Sequence, residues 1–227
     1  MALERLAERH DLTLVRATRG GCPANDVTVD RGPDPLGFTG TGEQCTAWRH
    51  RVYPDLIARH DPDVVFVATR SHVSAVRAGG RRVAPFTSEH RRRWSAAWDW
   101  TLRTLGAGGA RVVVSEILPT LPERVPACLA AAGEPTRACD FPADADRRVD
   151  AYNAIVRRLT ERAPRLAVFD PTRIGCPRGT CRALAGDIVV HRDDNHLSAA
   201  FVRSRSERFG DAMAHAGADL EPGRRAP

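Results

Sequence analysis

Three apolar runs decide most of what this chain can become: Val64 to Val67 in "PDVVFVAT", Val112 to Val114 in "ARVVVSEI", and Leu166 to Phe169 in "LAVFDPT". Each is continuously apolar rather than alternating, the pattern of a parallel strand covered on both faces. Amphipathic helical stretches lie between them. In "TSEHRRRWSAAWDWTLRTLGAGG" Trp94, Trp98 and Leu105 recur at helical spacing before the glycines end the helix. Val149, Tyr152, Ile155, Val156 and Leu159 mark a second such helix in "DADRRVDAYNAIVRRLTERAP". This alternation predicts an α/β fold, a parallel-sheet three-layer αβα sandwich of the doubly wound, flavodoxin-like type. A chain of 227 residues, 42% hydrophobic, suffices for one core, so a single domain over residues 1–216 is expected, with residues 217–227 as a disordered tail.

The remaining elements are shorter. "MALERLAERH" reads as a helix with Leu3, Leu6 and Ala7 on one face, and Leu12, Leu14 and Val15 suggest a buried strand. A turn-rich stretch and a long loop follow, then a helical segment over residues 43–60 interrupted by Pro54. Residues 116–143 form a proline-rich excursion with one short helix around Val125 to Ala132, "DIVV" is a short strand, and a last helix follows Ser198. The tryptophans at helical spacing read as core rather than as a stacking platform.

The net charge of +6 raises the question of polyanion binding, but every basic residue is arginine and the arginines are spread along the whole chain. With no basic stripe interleaved with aromatics, no nucleic-acid partner is expected. Arg91-Arg92-Arg93 reads as a solvated face. No apolar stretch reaches the roughly 18 to 20 residues of a membrane-spanning helix. Glu4, Arg5, Glu8 and Arg9 interrupt the segment where a signal peptide would need its apolar core.

Six cysteines fall in three locally spaced pairs, Cys22 and Cys45, Cys128 and Cys139, Cys176 and Cys181. None has the C-x-x-C spacing of a structural zinc site, so disulfides and an oxidising, extracytoplasmic location are expected over six reduced thiols. Spacing leaves the connectivity open.

The string "HRDDNHLS", His191 to Ser198, carries the chemistry. Asp193 and His196 stand three positions apart, so in a turn leading into a helix both side chains project from one edge. A histidine there can take the proton of a nucleophilic hydroxyl while the carboxylate holds its other nitrogen. Two plainer readings stand beside this one. Asp193 and Asp194 can serve as turn acids with Ser198 as the helix cap. His191, Asp193 and His196 are also competent metal ligands, but their spacing matches no strong zinc signature, so neither a metal nor an organic cofactor is expected.

Taken in order, "GGCPAND", "PDVVFVAT", "RVVVSEILPTLP", "YNAIVRRL", "VFDPT", "CPRGTC" and "VVHRDDNHLS" resemble SGNH-type hydrolase domains. More narrowly, they resemble the extracytoplasmic SGNH domain fused to bacterial membrane O-acyltransferases that acylate surface polysaccharides. The resemblance implies an esterase or acyltransferase with His196 as general base and Asp193 as its orienting carboxylate. It implies oxyanion donors near Gly21 and Arg70, and as partners an acylated polysaccharide or acyl donor and a membrane acyltransferase domain in the parent protein. The family's serine lies in a Gly-Asp-Ser block ending an apolar first strand, and this chain contains no Gly-Asp-Ser. Ser71 and Ser115 follow strands without forming a strand-to-helix nucleophile turn. The expectation is therefore a fragment of a longer acyl-transfer protein, short of a central strand and left with an unpaired sheet edge. The alternative is a serine-free SGNH-like remnant that binds glycan or a protein partner without catalysis.

Overall fold

The computed structural model describes residues 1–31, 41–132, 137–144, 146–163, 165–218 and 220. Part of the expected long loop and most of the expected tail lie outside the described residues. In chain order the helices are α1 (Ala2–Arg9), α2 (Gly42–His60), α3 (Ser88–Leu105), α4 (Val125–Ala132), α5 (Arg147–Leu159), α6 (Thr172–Gly175), α7 (Ala199–Ser204) and α8 (Ser206–His215). The strands are β1 (Val64–Val67), β2 (Val76–Ala78), β3 (Arg81–Val83), β4 (Arg111–Ser115), β5 (Phe141–Pro142), β6 (Leu166–Phe169), β7 (Thr180–Cys181), β8 (Leu184–Ala185) and β9 (Ile188–Val189). They form two compact units. One holds Val15–Ser115 and Tyr152–Val168; the other holds Met1–Leu14, Glu116–Ala151 and the described part of Phe169–Pro227.

The first of these units is built on the three predicted apolar runs, hydrogen-bonded in the order β1-β4-β6. β1 and β4 are parallel, in register from Val64 opposite Arg111 to Val67 opposite Val114. The middle strand, β4, is the most deeply covered: Val112, Val113 and Val114 are all buried, whereas Val64, Val65 and Phe66 of the edge strand are half-buried. The reading of the sequence as mixed α/β with a parallel sheet flanked by helices is thus the observed one.

Trp94 and Trp98 of α3 and Tyr152 of α5 are fully buried, as core residues should be, with the Trp94 ring edge-on to Tyr152 at 5.2 Å. A buried indole N–H needs an acceptor, and Trp94 donates to the Ser71 hydroxyl (2.9 Å). Ser71 donates in turn to Asn25 Oδ1 (2.9 Å), and the Asn25 amide returns to the Trp94 carbonyl (3.2 Å). Tyr152 is held the same way: its hydroxyl meets His90 Nδ1 at 2.7 Å, and His90 Nε2 donates to the Ser74 carbonyl at 2.9 Å.

α2 starts with a capping box. Thr41 Oγ1 accepts from the Gln44 N–H, and the Gln44 side chain accepts from the Thr41 N–H. Gly42 is obligatory, because a Cβ there would lie 2.0 Å from the Val29 carbonyl oxygen. The helix then runs unbroken through Pro54 to His60, where the sequence predicted an interruption. Proline removes only one intrahelical bond, and buried Cys45, Arg49 and Tyr53 anchor the helix on its inner face. The Cys22–Cys45 disulfide fastens the residues before the bridge at Val29 to this helix. Fully buried Arg49 does the same, donating to the carbonyls of Pro23 (3.1 Å) and Val27 (3.0 Å) and to Asp26 Oδ1 (3.0 Å).

The predicted strand at Leu12 to Val15 does not form: residues 12–19 carry no strand, and Leu14 and Val15 are 38% and 42% exposed. An apolar run becomes a strand only by bonding to a neighbour, and none pairs with it among the described residues.

The other unit packs α1 on α8, where Gly210 lets the Leu6 side chain sit flush: a Cβ at that position would lie 3.0 Å from it. Its second cluster gathers Leu121, Val125 and Ala183 around Cys139, Cys176 and Cys181. The two remaining disulfides, Cys128–Cys139 and Cys176–Cys181, belong to this cluster. Each cysteine therefore pairs with its nearest sequence neighbour, a connectivity that spacing alone had left open.

Arg49→Met removes the donor to two backbone carbonyls and one carboxylate while keeping the bulk. It is expected to cost about 3 kcal/mol, read as a lowered guanidinium midpoint.

Candidate active site

The string His191 to Ser198 folds as a narrow loop. His191 and Leu197 form an antiparallel bridge, the Arg192 N–H donates to the His196 carbonyl (2.8 Å), and the Ser198 N–H donates to the Val190 carbonyl (2.8 Å). Ser198 ends the loop as the N-cap of α7: its hydroxyl accepts from the Phe201 N–H at 3.1 Å and donates to the Val189 carbonyl at 2.6 Å. The Asp194 carbonyl accepts from the Leu121 N–H (2.7 Å), which ties the loop to the proline-rich excursion.

At the centre of the loop is the Asp193 carboxylate. Its Oδ1 accepts from the backbone N–H of Asn195 (2.9 Å) and of His196 (2.7 Å), an Asx-turn arrangement. Its Oδ2 lies 2.8 Å from Nδ1 of His196. The same carboxylate thus closes the turn and meets the His196 ring. Burial works against its charge, yet the hydrogen bonds from Asn195 and His196 outweigh burial and hold its pKa down at about 2. It is an anion at neutral pH.

That anion on Nδ1 selects the tautomer with its proton there and leaves the lone pair on Nε2. The His196 side chain is 54% exposed, and the ring makes no further hydrogen bond among the described residues, so Nε2 is available to accept a proton from solvent-borne or protein-borne hydroxyl. An oriented, half-exposed imidazole on an ionised carboxylate is the arrangement needed to activate a hydroxyl nucleophile.

His191, in the same motif, does something different. It is 2% exposed, and neither ring nitrogen has a hydrogen-bond partner among the described residues. Burial lowers its pKa below 6.5, with the charge of Asp193 offsetting part of the effect. A ring nitrogen of His191 and the sulfurs of Cys176 and Cys181 lie within 4.8 Å of one another, but the two sulfurs are bonded to each other, so the thiolates that a metal would need are consumed.

The other expected site residues lie in the unit of Val15–Ser115 and Tyr152–Val168. Gly21 has a positive φ of 68°, and its carbonyl accepts from Arg31 (3.0 Å). Arg70 directly precedes the short helix Ser71–Val73. The loops that carry them are joined by the Ala24 N–H to Thr69 Oγ1 (3.2 Å) and by Ser71 to Asn25. Ser71 itself is buried with its hydroxyl committed at both ends, and Ser115 is 9% exposed at the end of β4. Sequence reading missed the part of Asn195, whose N–H helps to hold the carboxylate, and the anchoring N–H of Leu121. Backbone donors leave no trace in side-chain pattern.

Buried neutral His191 makes stability depend on acid. Its folded pKa lies below the unfolded value, so the unfolded chain binds more protons and stability is lost as pH falls below about 6.5. His90, lowered chiefly by burial, adds to the same slope. Urea midpoints of the wild-type protein are expected to drop between neutral pH and pH 5, and His191→Leu is expected to reduce that drop to the share of His90. The Asp193 contribution is separate and is lost only below about pH 4.

The model of the SGNH domain (fused to AT3 domains) matches residues 1–211. Comparison with curated proteins finds no significant relative. Among solved structures, the chain is similar to the periplasmic domain of the lipopolysaccharide acetyltransferase from Salmonella ser. Paratyphi A. The TM-score is 0.63 at 12% identity, over 94% of this chain and 76% of that one. At such identity the likeness concerns the fold.

Proposed function

The chain belongs to the family of SGNH domains fused to AT3 domains, and from that premise we propose that it serves an acyl-transfer enzyme acting on O-acyl groups of cell-surface carbohydrate. The observation that carries the reading is the 2.8 Å contact between ionised Asp193 and Nδ1 of half-exposed His196. The neighbouring lipopolysaccharide acetyltransferase domain supports the class of substrate, and three disulfides support an extracytoplasmic, bacterial setting. A membrane acyltransferase domain is the partner that the family implies.

In this mechanism Nε2 of His196 takes the proton of a serine hydroxyl as that oxygen attacks the acyl carbonyl. Asp193 stays ionised and stabilises the imidazolium. Backbone amides stabilise the tetrahedral oxyanion, which collapses to an acyl-serine while His196 returns its proton to the departing alcohol. A second hydroxyl, of sugar or water, enters by the same proton path in reverse.

The serine is inferred to come from sequence outside residues 1–227, residues 1–216 being an SGNH domain short of its first strand. Ser198 is spent on capping α7 and Ser71 on the Asn25 and Trp94 network. Among the described residues the sheet ends at half-buried β1, and the apolar Leu14–Val15 pair is left exposed, both of which fit a missing strand. Coding DNA upstream of Met1 is expected to encode an in-frame apolar strand ending in Gly-Asp-Ser, and an in-frame stop codon there removes this part of the proposal.

In the protein carrying that serine, His196→Ala is expected to lower p-nitrophenyl acetate turnover by about 100- to 10,000-fold. Asp193→Asn should lower it through kcat, because it leaves the wrong tautomer. Unchanged turnover in His196→Ala rejects the assignment. Turnover that depends on His196 in residues 1–227 alone rejects the external serine and keeps the dyad.

A further inference from the structure

At the root of the loop His191 to Ser198, side chains from three separate segments converge. A ring nitrogen of His191 and the sulfurs of Cys176 and Cys181 all lie within 4.8 Å of one another, and each of the three residues is buried, at 2% exposure or less. A histidine so enclosed, with neither ring nitrogen bonded among the described residues, forfeits the hydrogen bonds it would make in water. Around the cysteines pack the apolar side chains of Leu121, Val125 and Ala183.

Backbone contacts, and not the sulfur–sulfur bond alone, hold these groups together. The Cys176 N–H ends α6 on the Thr172 carbonyl (2.8 Å), Cys181 of β7 is paired with Phe141 of β5, and His191 is bridged to Leu197. The Val190 N–H donates to the Ala183 carbonyl (2.9 Å), which fastens the segment before His191 to the residues after Cys181. Opening the Cys176–Cys181 bond therefore leaves two thiols and an imidazole around one centre. Arg178 and Gly179, in the turn between the cysteines, are exposed, which gives a small dithiol a way in by local opening.

We propose that Cys176, Cys181 and His191 form a binding site for monovalent copper, which the disulfide keeps closed and a dithiol reductant opens. Thiolates select soft ions such as Cu(I), and imidazole accepts copper as well. Zinc in a structural site takes four ligands, and among the described residues no fourth histidine, cysteine, aspartate or glutamate joins the three. Three donors in an apolar enclosure instead suit Cu(I), a closed-shell ion that is satisfied by trigonal coordination. In the opening step the dithiol gives two electrons and two protons to the Cys176–Cys181 bond and closes into its own disulfide. The two thiol protons then pass to solvent as Cu(I) binds, and the copper keeps its oxidation state. Neither Asp193 nor His196 takes part, so the site is independent of the catalytic reading.

The test starts from the full chain reduced with dithiothreitol, desalted without oxygen and titrated with Cu(I) against the chromophoric chelator bicinchoninate. The reduced chain is expected to take the ion from the chelator, and the unreduced chain is expected to leave it there. His191→Leu should weaken the tightest site by at least about 100-fold, since even residues that only support a ligand cost 10- to 100-fold. Cys176→Ser, nearly the same size, should weaken it likewise, whereas Cys128→Ser with Cys139→Ser should keep the wild-type affinity. Equal affinity in His191→Leu and the wild type overturns the proposal, because thiols anywhere in the chain would then account for binding. Tighter binding of Zn(II) than of Cu(I), by the same competition with a zinc chelator, overturns the choice of ion. Loss of the folded circular-dichroism signal on reduction also overturns the proposal, because the site requires ligands that stay in place. None of these outcomes depends on esterase turnover.

Discussion

A parallel sheet has to be covered on both faces, because its strands are apolar throughout and their crossovers must pass over one face or the other. That constraint governs the unit built on β1, β4 and β6. It explains why α3 and α5 carry their largest apolar side chains inward, and why Trp94, Trp98 and Tyr152 are fully buried. It also explains the polar links in the same interior. Burying polar ring atoms calls for partners, and Ser71 and Ser74 supply them for the Trp94 indole and the His90 imidazole, whereas the buried Trp98 N–H has none among the described residues.

The candidate site depends on a smaller constraint of the same kind. A single carboxylate, Asp193, closes the turn with two backbone N–H groups and holds the His196 ring with its remaining capacity. Folding the loop and orienting the base are therefore one interaction, so a change at Asp193 disturbs both, and the pH and kinetic readouts are needed to separate them. His191 shows the opposite use of the same residue type only five positions away: buried, neutral and without a hydrogen-bond partner among the described residues. Exposure, not sequence context, distinguishes the two histidines.

Much of this was legible in advance. α3 and α5 followed from periodicity, which reports burial directly when an element is long and regular, and the parallel strands followed from continuous apolar runs. The Asp193 to His196 contact was legible because a separation of three residues within one turn leaves few geometries. Leu12 to Val15 misled for a physical reason: an apolar run states a preference, but a strand also needs a neighbour with free N–H and C=O groups. Pro54 misled in the other direction, since the packing of Cys45, Arg49 and Tyr53 outweighs one lost hydrogen bond.

By itself, then, the sequence determined what depends on neighbours a few residues apart: which stretches are helices, which are doubly covered strands, and which acid can reach which histidine. Tertiary structure alone decided that Arg49 would be a buried hub for Pro23, Asp26 and Val27, and that arginines from two elements would share Asp30 and Glu89. It also decided that every cysteine would pair with its nearest sequence neighbour. The reason is range. Local geometry is set by backbone dihedrals over one or two turns, whereas the meeting of charges and sulfurs between separate elements is set by how those elements pack.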